Sequence, residues 1–490
     1  MKEAIGYMLL SLIVLHPVAR VSLADDFRPT TATYLGGPAQ EEEWTAVDVA
    51  PDGTVVVAGS LPESEPGGVR PIDLLGGGYG IVVRMNGKGT EVLSTTRIGD
   101  YIDDLEVSDG GRIAVVGSFG VAVLSPDGSS VAWRDGEVIR GTKAAQFRNQ
   151  TLPFKRARYT RRVARVAVGS DGTVASIQND EKVHGTAPKM GHLYIWDRKG
   201  KRLCDVALRQ YKYPKDVCVS ATQKLVIVGG MSTYSADSRH MKNHPIHMPF
   251  LVAYDYQGNK RSESYNFSAA ASYAQNTFAD SRVQRVTVGR DGYLYMGGYI
   301  HGGDYVWRHD PHDVTRRSDH DTGYDSFSRA SNMGPGRDHA YFAKLDPADG
   351  DILLGQALLC RQSETGGGKP GQIQIKGIHA DNSGNVYLSG YCEKYIKNRS
   401  AKSVGGTAVG PYHAPEAFLM VVSPDFRTRK LWTVFSKHCE SAAWGVSVRD
   451  GTAAMVAELY EGTLITTDGA LQTKPDKPYD GYLVTWRPTE

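Results

Sequence analysis

An all-β fold assembled from repeated four-stranded antiparallel sheets is predicted by three observations. A two-strand figure closed by a tight turn recurs along the chain, and nearly every copy is followed by a second hairpin. In addition, 55 glycines and 23 prolines are spread evenly over 490 residues instead of being collected in tracts.

The first figure is AVDVAPDGTVVVAGS, Ala46 to Ser60, in which two alternating apolar runs flank an Asp-Gly turn. It returns as DLEVSDGGRIAVVGS from Asp104, RVAVGSDGTVASI from Arg165 and DVCVSATQKLVIVGG from Asp216. The remaining copies are RVTVGRDGYLYMGG from Arg285, GIHADNSGNVYLSG from Gly377 and GVSVRDGTAAMVA from Gly445. Second hairpins follow after variable gaps, for example GIVVRMNGKGTEVLSTTRI, HLYIWDRKGKRLCDVAL and AFLMVVSPDFRTRKLWTVF. Each complete unit therefore holds four antiparallel strands, the content of one propeller blade. The seventh unit stops after its third strand, GYLVTWRP, while TATYLGG (Thr31 to Gly37) precedes the first unit and belongs to none. The expected architecture is a single seven-bladed β-propeller occupying residues 25–490, closed by pairing the N-terminal strand with the last blade so that no open sheet edge is left.

The two ends of the chain also carry a resemblance. TYLGG with EEWTAVDVAPDGTVVVAGS, ITTDGALQTKPDKPYDGYLVTW, and DHAYFAKLDPADG farther in, resemble the bacterial SBBP-type β-propeller repeat. That pattern runs from a Tyr-Leu-Gly-Gly strand through an Asn/Asp-Gly turn and a strand ending in Gly to a Thr-x-Gly-Ala-x-Gln-Thr loop. The middle copies lack the last loop. The resemblance implies a propeller and an exported, often surface-exposed location, and implies no reaction.

Residues 1–24 read as a signal peptide. Lys2 precedes an apolar run from Ala4 to Leu15, and Ser22-Leu23-Ala24 offers small residues for cleavage after Ala24. The run is shorter than the roughly 20 residues that span a bilayer, and no later segment reads as transmembrane. Export to the periplasm, the cell surface or the medium is expected, with the protein a monomer. Lysine plus arginine (56) nearly balance aspartate plus glutamate (54), which argues against nucleic acid as a partner. Export permits disulfides. Of Cys204, Cys218, Cys360, Cys392 and Cys439, the last three end strands near one face. One bridge is expected, Cys392 with Cys439 ahead of Cys360 with Cys392, although spacing cannot fix connectivity.

Propeller topology puts first-to-second and third-to-fourth strand turns on one face and all other connections on the opposite face. The extra length falls in the second class, in the stretches Leu61 to Gly78, Gln178 to Gly191, Met231 to Pro249, His301 to His339 and Cys392 to Glu416. Long loops on a rigid scaffold are where binding sits. The histidines gather there too, among them His240, His244 and His247, and then His309 and His312 with Asp319, Asp321 and Asp325. Imidazole with carboxylate suits zinc, and the carboxylates alone suit calcium. These eight residues are the candidate metal ligands, with a divalent metal the one cofactor in view. The spacing matches no standard motif, and a solvated polar loop is the simpler reading.

Aligning the hairpins on their turns puts Ala46, Asp104, Arg165, Asp216, Arg285, Gly377 and Gly445 at one position of the innermost strands. The alternating charges of Asp104, Arg165, Asp216 and Arg285 suit a structural ring of blade-to-blade ion pairs. The rival is an anion site of Arg165 and Arg285 with Arg161, Arg162 and Arg282. Nucleophile-elbow, zincin and P-loop patterns are missing, and GGGKPGQ from Gly366 lacks the ending a phosphate loop needs. Two function classes stay open. One is a non-enzymatic exported scaffold that binds a protein or polysaccharide at the cell surface through the loop-decorated face. The other is a metal-dependent hydrolase or lyase that uses the His/Asp-rich loops.

Overall fold

A computed structural model describes residues 26–37, 43–62, 65–136, 164–179, 191–235, 245–277, 279–302, 305–318, 320, 338–361, 370–396, 399, 401–410, 415–476 and 479–488. Among them, six sheets have four antiparallel strands and a seventh has five. Sheet 1 is built from Glu43–Val49, Val55–Ser60, Gly80–Met85 and Val92–Ile98, with Ile72–Leu74 added parallel at its outer edge. Sheet 2 follows as Ile102–Val107, Ile113–Gly117, Gly120–Leu124 and Val131–Asp135, and sheet 3 as Ala164–Val168, Val174–Asn179, Gly191–Trp196 and Arg202–Ala207. Sheet 4 holds Tyr213–Ser220, Leu225–Ser235, Pro245–Asp255 and Lys260–Tyr265, and sheet 5 holds Ser281–Val288, Leu294–Ile300, His339–Leu345 and Ile352–Leu358. Sheet 6 is Ile373–Ala380, Val386–Cys392, Glu416–Val422 and Arg429–Val434.

Sheet 7 draws on both ends of the chain. Ser436–Arg449, Thr452–Leu464 and Asp480–Trp486 are followed at the outer edge by Thr31–Tyr34, with Thr31 opposite Thr485 and Tyr34 opposite Tyr482. The ITTDGALQT loop holds that strand in place. Thr467 Oγ1 accepts from Ala32 N at 2.9 Å, Thr467 N donates to Ala32 O at 3.0 Å, and Gln472 N donates to Thr33 Oγ1 at 3.1 Å. The threonine and the glutamine of this loop thus bond the outer strand along the edge that Asp480–Trp486 does not reach.

The hairpins form because alternation places one row of apolar side chains on each face, and both faces are covered. Buried clusters sit between consecutive sheets. Ala46, Val56 and Val82 of sheet 1 pack with Leu105, Val115 and Ala122 of sheet 2. Val57, Val83 and Trp44 of sheet 1 pack with Ala454, Val456 and Leu483 of sheet 7. The innermost strand of each sheet lies beside that of the next, and Ser436–Arg449 lies beside Glu43–Val49. A short helix, Ala269–Ala274, links sheets 4 and 5, its first turn capped by the Ser268 side chain, which accepts from Ala271 N.

The second-to-third strand connections leave the end of each sheet opposite the tight first hairpins. In sheet 1 the tight turn is closed by Gly53 N on Ala50 O at 2.9 Å with φ +79° at Gly53, a conformation that glycine adopts freely. In sheet 2 the second-to-third connection is itself short, Gly117 to Gly120, and the length moves to the link with sheet 3. The expected disulfide is not formed. All five cysteines are free, Cys392 Sγ facing Glu416 O at 3.9 Å and Cys439 Sγ facing Ser441 Oγ at 3.2 Å. Each of these strand-end thiols has met a polar group instead of another thiol. Residues 1–24, read as a signal peptide, lie outside the described residues.

Candidate functional site

An innermost strand faces the middle of the molecule with one edge unpaired, so its N–H groups need acceptors. Carboxylates of the preceding sheet supply them. Asp48 Oδ2 accepts from Val107 N at 2.7 Å, Asp104 Oδ2 from Val166 N at 3.2 Å, Glu106 Oε2 from Val168 N at 3.1 Å and Asp216 Oδ2 from Val286 N at 2.9 Å. Ser447 Oγ of sheet 7 donates to Asp48 Oδ1 at 2.5 Å, joining that sheet to sheet 1. The arginines bond backbone carbonyls of a neighbouring sheet, Arg165 that of the sheet before it and Arg285 that of the sheet after it. Arg165 Nη1 donates to Asp103 O at 2.9 Å, and Arg285 Nε donates to Lys376 O.

Three of the four charges aligned from sequence converge. Arg165 Nε lies 4.0 Å and Arg285 Nη1 3.8 Å from Asp216 Oδ1. At these distances the attraction is Coulombic, without a direct hydrogen bond, and burial offsets much of it. Asp104 feels both arginines. Burial is nevertheless the largest influence on the carboxyls and raises the pKa of Asp104 and Asp216, while Glu106 is pushed well above the usual range by burial and then by Asp48. Arg161 and Arg162 lie outside the described residues. Arg282 is turned away to His247 Nδ1, 3.1 Å from its Nε, and stacks over Tyr299 at 4.4 Å.

A β-bulge precedes this position in six of the innermost strands. The extra residues are Thr45, Asp103, Lys215, Gln284, Lys376 and Trp444. A bulge lets two successive side chains approach the same side, so Lys215 is brought beside Asp216 and Lys376 beside Gly377. The alignment on turns named the second residue of each pair and missed the first. The missed signal was a polar side chain, as in YPKDVCVS and IQIKGIHA, where strict alternation calls for an apolar one. A cavity of about 100 Å³ lies among Asp104, Asp216, Arg285, Lys376, His379 and Trp444. Lys376 is half-buried, its Nζ 5.6 Å from the Trp444 ring and 5.7 Å from the Tyr391 ring. Burial, then Arg285 and Lys215, hold its pKa down to about 7. Burial, then Arg282 and Arg165, lower Lys215 to about 8.

Of the eight residues expected to hold a metal, His240, His244, Asp319, Asp321 and Asp325 lie outside the described residues. The other three are engaged separately. His247 Nδ1 is 3.1 Å from Asp280 Oδ2, His309 is buried with Nδ1 2.5 Å from Val314 O, and His312 Nε2 is 3.0 Å from Asp351 Oδ1. Among the described residues no three His, Cys, Asp or Glu side chains gather as a metal site. A dyad that the sequence did not suggest lies near Lys376. His301 Nδ1 meets Asp338 Oδ1 at 3.0 Å, and Asp338 Oδ2 accepts from Gln374 and Gln372 at 2.7 and 3.0 Å. The Asp338 hydrogen bond raises the His301 pKa.

No helix among the described residues is long and apolar enough to cross a membrane. No protein-family model and no curated protein matches the sequence. Solved structures do. Sqt1 of Saccharomyces cerevisiae matches with a TM-score of 0.41 at 9% identity, over 94% of this chain and 100% of that one. The β-propeller domain of the Trilobed protease of Pyrococcus furiosus matches with 0.41 at 9%, over 92% and 97%. A Synechocystis apocarotenoid oxygenase mutant matches with 0.38 at 11%, over 92% and 97%. At such identities and TM-scores these likenesses carry no argument about what the chain does.

Proposed function

We propose that the chain is an exported seven-bladed β-propeller of the SBBP type, closed where Thr31–Tyr34 completes the last blade. In this reading it acts as a non-enzymatic scaffold that binds a protein or polysaccharide at the cell surface through its loop-bearing face. One observation carries the proposal: the two ends of the sheets are built differently. The first hairpins turn within a few residues, whereas the second-to-third connections of sheets 1, 3, 4, 5, 6 and 7 are long. Exposed aromatics on that face favour a polysaccharide. Tyr79 and Tyr479, 41% and 38% exposed, sit in the connections of sheets 1 and 7, which are neighbours. Sugars stack on such rings through their apolar faces.

The test is binding of the purified chain to a panel of neutral and acidic polysaccharides and surface proteins. A Tyr79→Ala/Tyr479→Ala variant should lose tenfold or more in affinity for the ligand found. Tyr293→Ala should lose none, because Tyr293 is equally exposed but follows the tight turn at the opposite end of sheet 5. Equal losses in both variants, or no binding to any member, would overturn the reading.

A further inference from the structure

At their tight-turn ends sheets 6 and 7 border a cavity of about 580 Å³. Asp381, Ser383 and Asn385 line it from the first turn of sheet 6, Arg449, Asp450 and Gly451 from that of sheet 7, and Arg290 from that of sheet 5. The volume lies within the range of about 300–1,000 Å³ typical of small-molecule sites. A Cβ on Gly451 would meet no atom within 4 Å beyond its chain neighbours, so this turn borders open space.

Two deeply buried side chains of the lining each keep one polar atom unused. Asn385, 6% exposed, gives Nδ2 to Asp381 Oδ2 at 2.8 Å and N to Asp381 Oδ1 at 2.9 Å, and its carbonyl accepts from Asp381 N at 3.1 Å. That leaves Oδ1, a buried acceptor with no partner among the described residues. Because Asp381 holds the amide nitrogen, the group cannot be turned over to present a donor instead. Arg449, 4% exposed, commits Nη1 to Ser108 O at 3.4 Å, and Nη2 to Val107 O at 3.3 Å and Asp109 Oδ1 at 3.1 Å. Its Nε–H is a buried donor with no partner among the described residues. Buried polar groups are as a rule hydrogen-bonded, so an unpaired donor and an unpaired acceptor on one cavity call for a bound group.

Charge decides which kind of group. Arg290, Lys430 and Arg449 line the cavity together with Asp381 and Asp450, and Asp109 binds both arginines, 2.9 Å from Arg290 Nη1 and 3.1 Å from Arg449 Nη2. Among the described residues three cations thus stand against three carboxylates, and neither an anion nor a cation is favoured. An apolar ligand would leave the buried donor and acceptor unpaired. Hydroxyls accept and donate at once. A ligand dense in them can take the Arg449 Nε–H, give a proton to Asn385 Oδ1, and meet the exposed Ser383 and Asp450 in the same way.

We propose that this cavity binds a neutral saccharide unit. It lies at the opposite end of the sheets from the long connections, so it does not rest on the reading of the loop-bearing face.

The probes are glucose, galactose, mannose, N-acetylglucosamine, cellobiose and maltose, with glucuronate and glucosamine as charged counterparts, each titrated calorimetrically into the full chain. At least one neutral probe should bind and raise the melting temperature by mass action. Glucuronate and glucosamine should bind at least tenfold more weakly than the best neutral probe. Ser383→Trp, whose indole would occupy the cavity, should abolish that binding. Arg449→Lys, which keeps the charge and loses Nε, should weaken it at least tenfold. Ser383 is exposed, so its variant decides the matter even if Arg449→Lys folds poorly. Tyr79→Ala/Tyr479→Ala should leave the affinity unchanged. Absence of binding by every neutral probe, tighter binding of a charged counterpart, or full binding by Ser383→Trp would overturn the site. Binding lost in the tyrosine variant and kept in Ser383→Trp would assign the sugar to the loop-bearing face and overturn the cavity alone.

Discussion

Lys376 shows how a backbone irregularity becomes a chemical property. Its ammonium is placed beside Arg285 by the bulge at Ile375/Gly377, and burial followed by Arg285 and Lys215 brings its pKa to about 7, against about 10.4 for a free lysine. The sign of the effect on stability follows. Below pH 7 the amine is charged in both states and the folded chain bears the whole penalty. Between about pH 7 and 10 only the unfolded chain keeps the proton, so stability rises with pH across that window. Lys376→Met should therefore raise the melting temperature at pH 6 in sulfate-free buffer, and the gain should shrink toward pH 9. Differential scanning fluorimetry over that range checks it. A variant less stable at pH 6, or a gain that grows with pH, would contradict the repulsion described here.

At the scale of the element, bulge and glycine belong together. Opposite the residue before five of the six bulges, the second strand carries Gly59, Gly117, Gly230, Gly298 or Gly390, whereas in sheet 7 that place is held by Ala457. A Cβ at these positions would run into a backbone carbonyl of the bulged strand or its lead-in, that of Glu43, Tyr101, Tyr213, Arg282 or Gln374 respectively. This is the physical content of a second strand that ends in glycine, which recurs as VVAGS, AVVGS and YLSGY. Gly390→Ala should cost about 1–3 kcal/mol, the ordinary range for forcing atoms into a packed site, and should raise the unfolding rate. Because Gly390 does not adopt a positive φ, the cost is steric. Chemical denaturation that returned the unaltered midpoint would show that the strand pair can part without loss. The glycines and the Asp-Gly turns were legible in the sequence, since turn chemistry is local. The bulges were not, because one inserted residue breaks the period of two on which strand reading depends. Lys215 and Lys376 therefore fell between aligned positions, although their neighbours Asp216 and Gly377 were found. The thiols failed for a related reason: a strand end fixes a height in the molecule and leaves the direction of the side chain open.

For the whole molecule, the decisive element is a short outer strand. Thr31–Tyr34 is buried throughout. Its Tyr34 ring packs edge-on to Tyr482 at 5.6 Å, and its hydroxyl accepts from Leu464 N at 2.6 Å. Without the strand, the edge of Asp480–Trp486 and the buried face of Tyr482 and Val484 would meet water. The loss should be no smaller than truncation of a buried aromatic, about 3–5 kcal/mol, and a bare edge invites pairing with another chain. Deleting Thr31–Tyr34 should thus lower the unfolding midpoint sharply and bring aggregation. Thr467→Ala/Gln472→Ala, which keeps the strand and removes the side-chain bonds of Thr467 Oγ1 with Ala32 N and of Gln472 Oε1 with Gly36 N, worth about 1 kcal/mol each, should fall between the deletion and the intact chain. A circular permutant that carries residues 26–37 after residue 488 should recover the midpoint, because the strand then reaches the same edge from the other end of the chain. If the deletion melts with the intact chain, the pairing of the two ends contributes nothing to the fold and the closed propeller proposed above is refuted.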